Sequence, residues 1–250
     1  MTLLDAQRIL KQLGFYSGNL DSDWGQLSRA GARAFQASRG LRQTGLLDEA
    51  TTVALAQAAP AWAAASVNRS LRTIPAAWLP KARMRRIHFH WTGGTYKASA
   101  GDRKHYHLLI DGDAGLVRGT PSIALNVAPI DLKSAYAAHT LNANGDAIGV
   151  AVCCMGGGQV SESPFRSGAY PMTRAQFEMM ARVAADLCRF YDIPVGPKTT
   201  LSHAEVQPNL GIQQRGKWDF TRLSFEPGLI GAKACGDRLR AAITSFLAQA

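Results

Sequence analysis

Long apolar runs are missing from this 250-residue chain. No stretch approaches the roughly 18 consecutive apolar residues that a membrane-spanning helix requires, so a spanning helix is excluded. Cysteine is scarce. Cys153, Cys154, Cys188 and Cys235 form no C-x-x-C pair and no framework spacing, which argues against a disulfide scaffold or a thiolate metal cluster. Buried free thiols in a reducing compartment are the expectation. Block clusters of Lys and Arg, zinc-finger spacing and basic–aromatic RNA motifs are also absent, so a dedicated nucleic-acid binder is not expected. The opening "MTLLDAQRILKQLG" has an acid at Asp5 and reads as an amphipathic helix, not as a secretory leader. Export by the usual route is therefore not expected.

What is present is a basic balance and two kinds of sequence. The formal net charge is +10. Residues 1–60 carry 6 Lys and Arg against 5 Asp and Glu, whereas the remainder carries 22 against 13. The excess in the second part favours anionic partners. Residues 1–58 read as three short helices. Leu3, Leu4, Ile9, Leu10 and Leu13 recur near helical spacing and stop at Gly14. A second helix is expected in "SRAGARAFQASRG", capped by Ser28 and ended by Gly40, and a third from about Asp48. So small a core suits a docking module better than a catalyst. The Ala- and Pro-rich residues 59–82 read as a linker.

In this first segment "AQRILKQLGFYSGNLDSDWG" and "SRAGARAFQASRGLRQTGLLDEATTVAL" resemble the peptidoglycan-binding modules of cell-wall hydrolases. Gln7, Leu10, Leu13, Gly14, Asp21, Gly25, Phe35, Gln36, Gly40, Leu41, Thr44, Gly45, Asp48 and Thr51 match that pattern. Ser22 departs from it where a glycine is usual. The resemblance implies a wall-binding domain over residues 1–58.

Residues 83–250 change character. "RIHFHW", "YHLLIDGDAGLV" and "AIGVAVCCMGG" read as strands. "LKSAYAAHT" reads as a short helix. "MTRAQFEMMARVAADLCRFYDIP" is a clear helix, with a Thr173/Gln176 capping box and an apolar stripe of Phe177, Met180, Ala184, Leu187 and Tyr191. "GDRLRAAITSFLAQA" reads as a final helix. The fold class is α/β: a central, mostly mixed sheet flanked by helices, preceded by the all-α module. His88 and His90 stand two apart in a strand and share a face, with Phe89 on the other. Side by side they suggest a metal, a proton relay or chance. His203, in a loop after "PKTTL", and Asp219 add two more groups. His90, His203 and Asp219 have the ligand count of a catalytic zinc site with one position open, although spacing alone does not establish one.

"IHFHWTGG", "HYHLLIDGDAGLV", "AAHTLNANGDAIGVAVCCMGG" and "SHAEVQPNLGIQQRGKWDF" occur in one order over residues 84–225. Together they resemble the zinc-dependent N-acetylmuramoyl-L-alanine amidases, the fold shared by phage amidase lysozymes and peptidoglycan-recognition proteins. The resemblance implies zinc held by His90, His203 and Asp219, and hydrolysis of the amide between N-acetylmuramic acid and L-alanine by zinc-activated water. It implies Lys217 as an oxyanion stabiliser and Tyr106 as a group orienting the water or donating to the oxyanion. It implies Trp91, His139 and Asn144 along the substrate cleft, the last together with Gly145 shaping a loop. His88 becomes a neighbour of the ligand. His107 is expected to face away from Tyr106 if the strand is regular. Some relatives carry a glutamate base where this chain has Ala151. Glu205 is expected to brace the His203 loop and not to act as a base.

The whole reads as a modular phage endolysin: a monomer made in the host cytoplasm, released through a membrane pore and acting on peptidoglycan. An N-terminal wall-binding module favours a Gram-negative host. The basic second domain and the tail helix, with Arg238 and Arg240, could touch anionic outer-membrane polymers or lipid, although packing on the sheet is the plainer expectation for that helix. The alternatives are a non-catalytic peptidoglycan receptor on the same fold, which would be expected to lose a zinc ligand, a host autolysin or recycling amidase, and a charge-driven nucleic-acid binder.

Overall fold

The structure, a computed structural model, describes residues 1–58 and 73–248. The chain divides into two units, Met1–Ser70 and Leu71–Ala250.

The first unit packs helices α1 (Leu3–Gln12), α2 (Gln26–Ser38) and α3 (Glu49–Ala58). Thr2 and Asp5 close α1 at its start in a reciprocal capping box. Gly14, at φ +80°, lets the chain turn away after it. Ala6, Ile9, Leu10, Tyr16, Ala32, Phe35 and Leu55 form the core, and the Phe15 ring meets Phe35 edge-on at 5.6 Å. Two buried glutamines do parallel work. Gln7 Nε2 donates to Asp21 Oδ1 and to the Asp23 carbonyl while its oxygen accepts from Ser22 N. Gln36 Nε2 donates to Thr51 Oγ1 and to the Leu46 carbonyl while its oxygen accepts from Gly45 N. Each staples a turn-rich loop to a helix, giving buried backbone the partners it needs. Ser28 is not the α2 cap. Gly25 occupies that position, and Ser28 lies one turn inside, buried, donating to the Asp23 carbonyl and accepting from Gln7.

The second unit is built on five strands: β1 (Arg86–Trp91), β2 (Leu108–Ile110), β3 (Leu116–Arg118), β4 (Ala147–Val152) and β5 (Thr200–Ser202). Their order is β3-β2-β4-β1-β5. All pairs are parallel except the β2–β3 hairpin, so the sheet is mixed, as read from the sequence. Among the described residues four α-helices accompany it: α4 (Ala100–His105), α5 (Arg174–Tyr191), α6 (His203–Leu210) and α7 (Ala232–Ala248). The Thr173/Gln176 capping box starts α5, as expected.

Alternation sorts the sheet's two faces. Ile87, Phe89 and Trp91 of β1 join Ile148, Val150 and Val152 of β4 in the main core, with Phe177, Met180 and Leu187 of α5 and Leu239 and Ile243 of α7. The opposite face carries His88 and His90, and beside them in register Gly149 and Ala151. Cys153 and Cys154 likewise enter different clusters, and all four cysteines are buried and free.

The stretch read as a linker, 59–82, lies outside the described residues as far as residue 72. Beyond it, Ile74 and Leu79 are buried in the main core, and Asp186 accepts the N–H groups of Thr73 and Ile74. The helix expected in "LKSAYAAHT" does not form; residues 132–140 are irregular. Side chains take the backbone groups a helix would use. Asn126 pairs with both the N–H and the carbonyl of Ala137, and Asn144 Oδ1 accepts from the N–H groups of His139 and Thr140.

Candidate metal centre

His90 stands near the C-terminal end of β1, in the middle of the parallel part of the sheet. His203 opens α6 directly after β5, not in a loop as the sequence suggested. Ser202 and Glu205 form the capping box of that helix, which fixes the angle at which the imidazole leaves the backbone. Asp219 follows in a turn whose carbonyl accepts from Ala204 N in the same helix. Three distant segments thus converge at one end of the sheet.

His90 Nδ1 and His203 Nδ1 lie 3.1 Å apart. Asp219 Oδ2 is 3.5 Å from the first and 3.4 Å from the second. All three ligand atoms fall within 4.8 Å of one another, the spread expected of a set converging on one ion. Burial drops the His90 pKa to about 4, despite the opposing pull of Asp219, so at neutral pH the ring is uncharged. Burial alone would raise the Asp219 pKa. Its position against the two histidines outweighs burial and holds the carboxyl well below the usual range.

Proton placement fits a cation. Gln214 Nε2 donates to the carbonyls of Leu141 and Ile212, so its oxygen faces His203 Nε2 at 2.9 Å and must accept from it. His203 is therefore protonated at Nε2 and presents a bare Nδ1 to the cluster. Two imidazole nitrogens and an ionised carboxylate form a donor set that suits zinc, and such a site leaves a further position for water or substrate.

The cluster lies beside an open cleft of about 1040 Å³. Lys217 is exposed on its lining, two residues before Asp219. The Tyr106 ring sits 5.2 Å from the His90 ring, and burial raises the hydroxyl pKa, keeping it a proton donor. Trp91 lines the cleft but is only 8% exposed, because its ring meets Trp218 edge-on and stacks on Phe220. His139 is buried among His88, His90 and His107, with ring centroids 5.3–5.8 Å away. The Asn144 side chain is turned to its own loop, where its oxygen already accepts two backbone N–H groups.

His107 does not face away as strand alternation suggested. It precedes β2, so alternation does not govern it. Its Nδ1 accepts from Gly149 N, its Nε2 pairs with Asn126 Oδ1, and its ring approaches His139. Glu205 braces, as expected. It is 2% exposed and its two oxygens receive Arg240 at 2.7 and 3.2 Å as well as Ser202 N. Arg240 is thereby buried and turned inward, and Arg238 pairs with Glu226 at the surface. Ala151 sits in register with His90, so the place at which some relatives carry a glutamate holds a methyl group. Gln214 went unnoticed in the sequence. It acts through partners far along the chain, and no spacing rule marks it.

Comparison with known proteins now has a geometry to meet. A family model described as N-acetylmuramoyl-L-alanine amidase matches residues 80–220, a span containing His90, His203 and Asp219. A peptidoglycan-binding domain model matches residues 3–55. No curated protein matches the chain. Among solved structures it is similar to the complex of the N-acetylmuramyl-L-alanine amidase AmiD from E. coli with the substrate anhydro-N-acetylmuramic acid-L-Ala-D-gamma-Glu-L-Lys, at 16% identity and a TM-score of 0.35. That match covers 53% of this chain and 52% of the other, about half the length of each. The model spanning more than half of the sequence encloses all three converging side chains, and the chain belongs to the N-acetylmuramoyl-L-alanine amidase family.

Proposed function

We propose that this chain hydrolyses the amide joining N-acetylmuramic acid to L-alanine in peptidoglycan, with zinc held by His90, His203 and Asp219. The observation that carries the reading is the convergence of two imidazole Nδ1 atoms and one carboxylate oxygen beside an open cleft. When bound there, zinc would polarise the substrate carbonyl and acidify a water molecule. The chain's own groups supply the rest. Lys217 brings a cation to the cleft at the ligand end, where it can meet negative charge developing on the carbonyl oxygen. Tyr106, held protonated beside His90, donates a hydrogen bond to the same oxygen or to the attacking water. No carboxylate stands at Ala151 to act as base. Trp91 and His139 line the cleft, and Asn144 holds the loop of residues 139–144.

The N-terminal module would keep the enzyme on its insoluble substrate. Linking a binder to a catalyst raises the local concentration of substrate without any new contact at the site. We place the chain as a lytic enzyme of the endolysin type, acting after release from the cell that makes it. The pairing of a wall-binding model with an amidase model supports this over recycling of soluble fragments. The test is digestion of purified peptidoglycan with identification of the new ends by mass spectrometry. Free L-alanine amino termini with intact glycan strands are expected. EDTA abolishes their release and Zn²⁺ restores it. New reducing sugar ends, or release indifferent to chelation, overturn the proposal. Rapid clearing of outer-membrane-permeabilised Gram-negative cells is the expected result for the lytic role, and unchanged turbidity overturns that part.

A further inference from the structure

The cleft holds more positive charge than the reaction above uses. Its lining contains the carboxylates of Asp102 and Asp219, and both are committed. Asp102 Oδ2 accepts from Ser99 N and Ser99 Oγ at the start of α4, and Asp219 faces His90 and His203. Lys217 has its place at the ligand end. Arg215 remains. It lines the cleft, is exposed, and among the described residues has no hydrogen-bond or ion-pair partner for its side chain.

The backbone carries strain at this position. Arg215 has φ +54°, a left-handed conformation that a residue with a Cβ seldom takes, and Gly216 follows at φ +71°. Both ends of this short arch are anchored. Gln214 is 3% exposed, with its N–H on Gln207 Oε1 and its side-chain amide on His203 and on the carbonyls of Leu141 and Ile212. Trp218 meets the Trp91 ring edge-on. Glycine or asparagine would take φ +54° more readily than arginine, and among the described residues nothing in the arch uses the guanidinium. Backbone outliers of this kind gather at ligand clamps.

The substrate assigned above supplies the missing anion. In the stem peptide L-alanine is followed by a glutamate joined onward through its side chain, which leaves its main-chain carboxylate free. That group is the first anion beyond the amide to be cut. Arg215 stands two residues from Lys217, so their α-carbons are at most about 7 Å apart, the reach of one to two residues of extended peptide. A guanidinium offers a carboxylate two parallel N–H donors, which an ammonium does not.

We propose that Arg215 is a specificity-determining residue: its guanidinium receives the free carboxylate of the residue after L-alanine, so the enzyme prefers stem peptides in which that carboxylate is not amidated. The assignment rests on the amidase reading above, and binding tests it apart from cleavage.

The experiment compares soluble muramyl tripeptides whose glutamate main-chain carboxylate is free or amidated. Affinity is read by calorimetry with the metal-free full chain, and KM and kcat with the zinc-loaded one. The test variant is Arg215→Gly, which removes the guanidinium and takes a positive φ without strain, so the arch keeps its course. Wild type is expected to bind the amidated tripeptide about tenfold more weakly and to show that ratio in KM with kcat within about twofold, the scale of one hydrogen bond to a charged group. Arg215→Gly is expected to bind both tripeptides alike, at the level wild type shows for the amidated one. Arg215→Lys, which keeps the charge without the fork, is expected to recover only part of the preference. A wild type that binds both equally, or neither, overturns the proposal. So does an Arg215→Gly chain that keeps the tenfold ratio, or one that loses affinity for both tripeptides in equal measure, which would mark a role through Gln214. Failure of the zinc-loaded wild type to cut either tripeptide overturns the proposed function, and the binding ratio still decides the role of Arg215.

Discussion

Arg240→Leu is the substitution whose cost the structure fixes best. Arg240 is 7% exposed and Glu205 is 2% exposed. The guanidinium meets the carboxylate as a fork, with Nη2 at 2.7 Å and Nη1 at 3.2 Å, and also donates to the Thr200 carbonyl and to Asp237. One side chain thus ties α7 to β5 and to the first turn of α6. Gly236 belongs to the same device, since a Cβ there would fall 2.2 Å from Glu205 Oε1. Removing Arg240 leaves a carboxylate buried with only the Ser202 groups as partners. Breaking a buried pair from one side costs about 3–5 kcal/mol. For a unit of this size about 1 kcal/mol shifts Tm by about 2–4 °C, so a fall of roughly 6–20 °C is expected. The assay is calorimetry of the full chain, following the transition of the second unit. Adding Glu205→Gln to Arg240→Leu should recover part of the loss, because the stranded charge is gone. A fall below about 1 kcal/mol, or a double variant that is worse by the sum of the two single losses, would refute the reasoning.

Three further outcomes follow from buried polar groups. Burial lowers the His107 pKa from 6.5 to about 4. Between those values the unfolded chain binds a proton that the folded one refuses, so stability rises with pH through the window and is lost as pH falls toward 4. The loss from this group reaches up to about 3 kcal/mol, and urea melts of the metal-free protein at pH 7 and pH 4.5 should show a smaller difference in His107→Asn. Gly149→Ala should destabilise the second unit by about 1–3 kcal/mol, measured by the same melts, since the added methyl meets the His139 ring at 2.6 Å. Gln7→Leu strands the buried N–H of Ser22, and should cost the first unit about 1–3 kcal/mol and weaken peptidoglycan pull-down, while Arg8→Ala leaves both within error.

The sheet and its helices were legible because their residues repeat. Ile87, Phe89 and Trp91 alternate with His88 and His90, and Phe177, Met180, Ala184 and Leu187 recur at helical spacing, so period alone assigns faces. The three candidate ligands were legible only through motif resemblance, since His90, His203 and Asp219 are brought together by topology that no local pattern records. Residues 132–140 misled because their apolar content suits a helix, whereas Asn126 and Asn144 compete for the backbone from outside the segment. Ser28 misled for a related reason: a serine near a helix start suits a cap, but Gln7, 21 residues earlier, draws it into the core. Gln214 could not be found by spacing, because a single amide has meaning only beside the ring it faces. Cys153 and Cys154 lie just past the end of β4 and enter different clusters.

The cleft is assembled from parts with different freedom to change. Its floor belongs to hydrogen-bonded architecture: His90 within a strand paired on both sides, His203 in a capped first turn. Much of its border comes from connections instead, including Leu141, the Gly156–Gly158 run and Arg215. Drift in those bordering segments can alter which crosslinked or branched wall strand gains entry while bond breaking stays as it is. The threshold of the cleft can therefore be edited while the hearth is left alone.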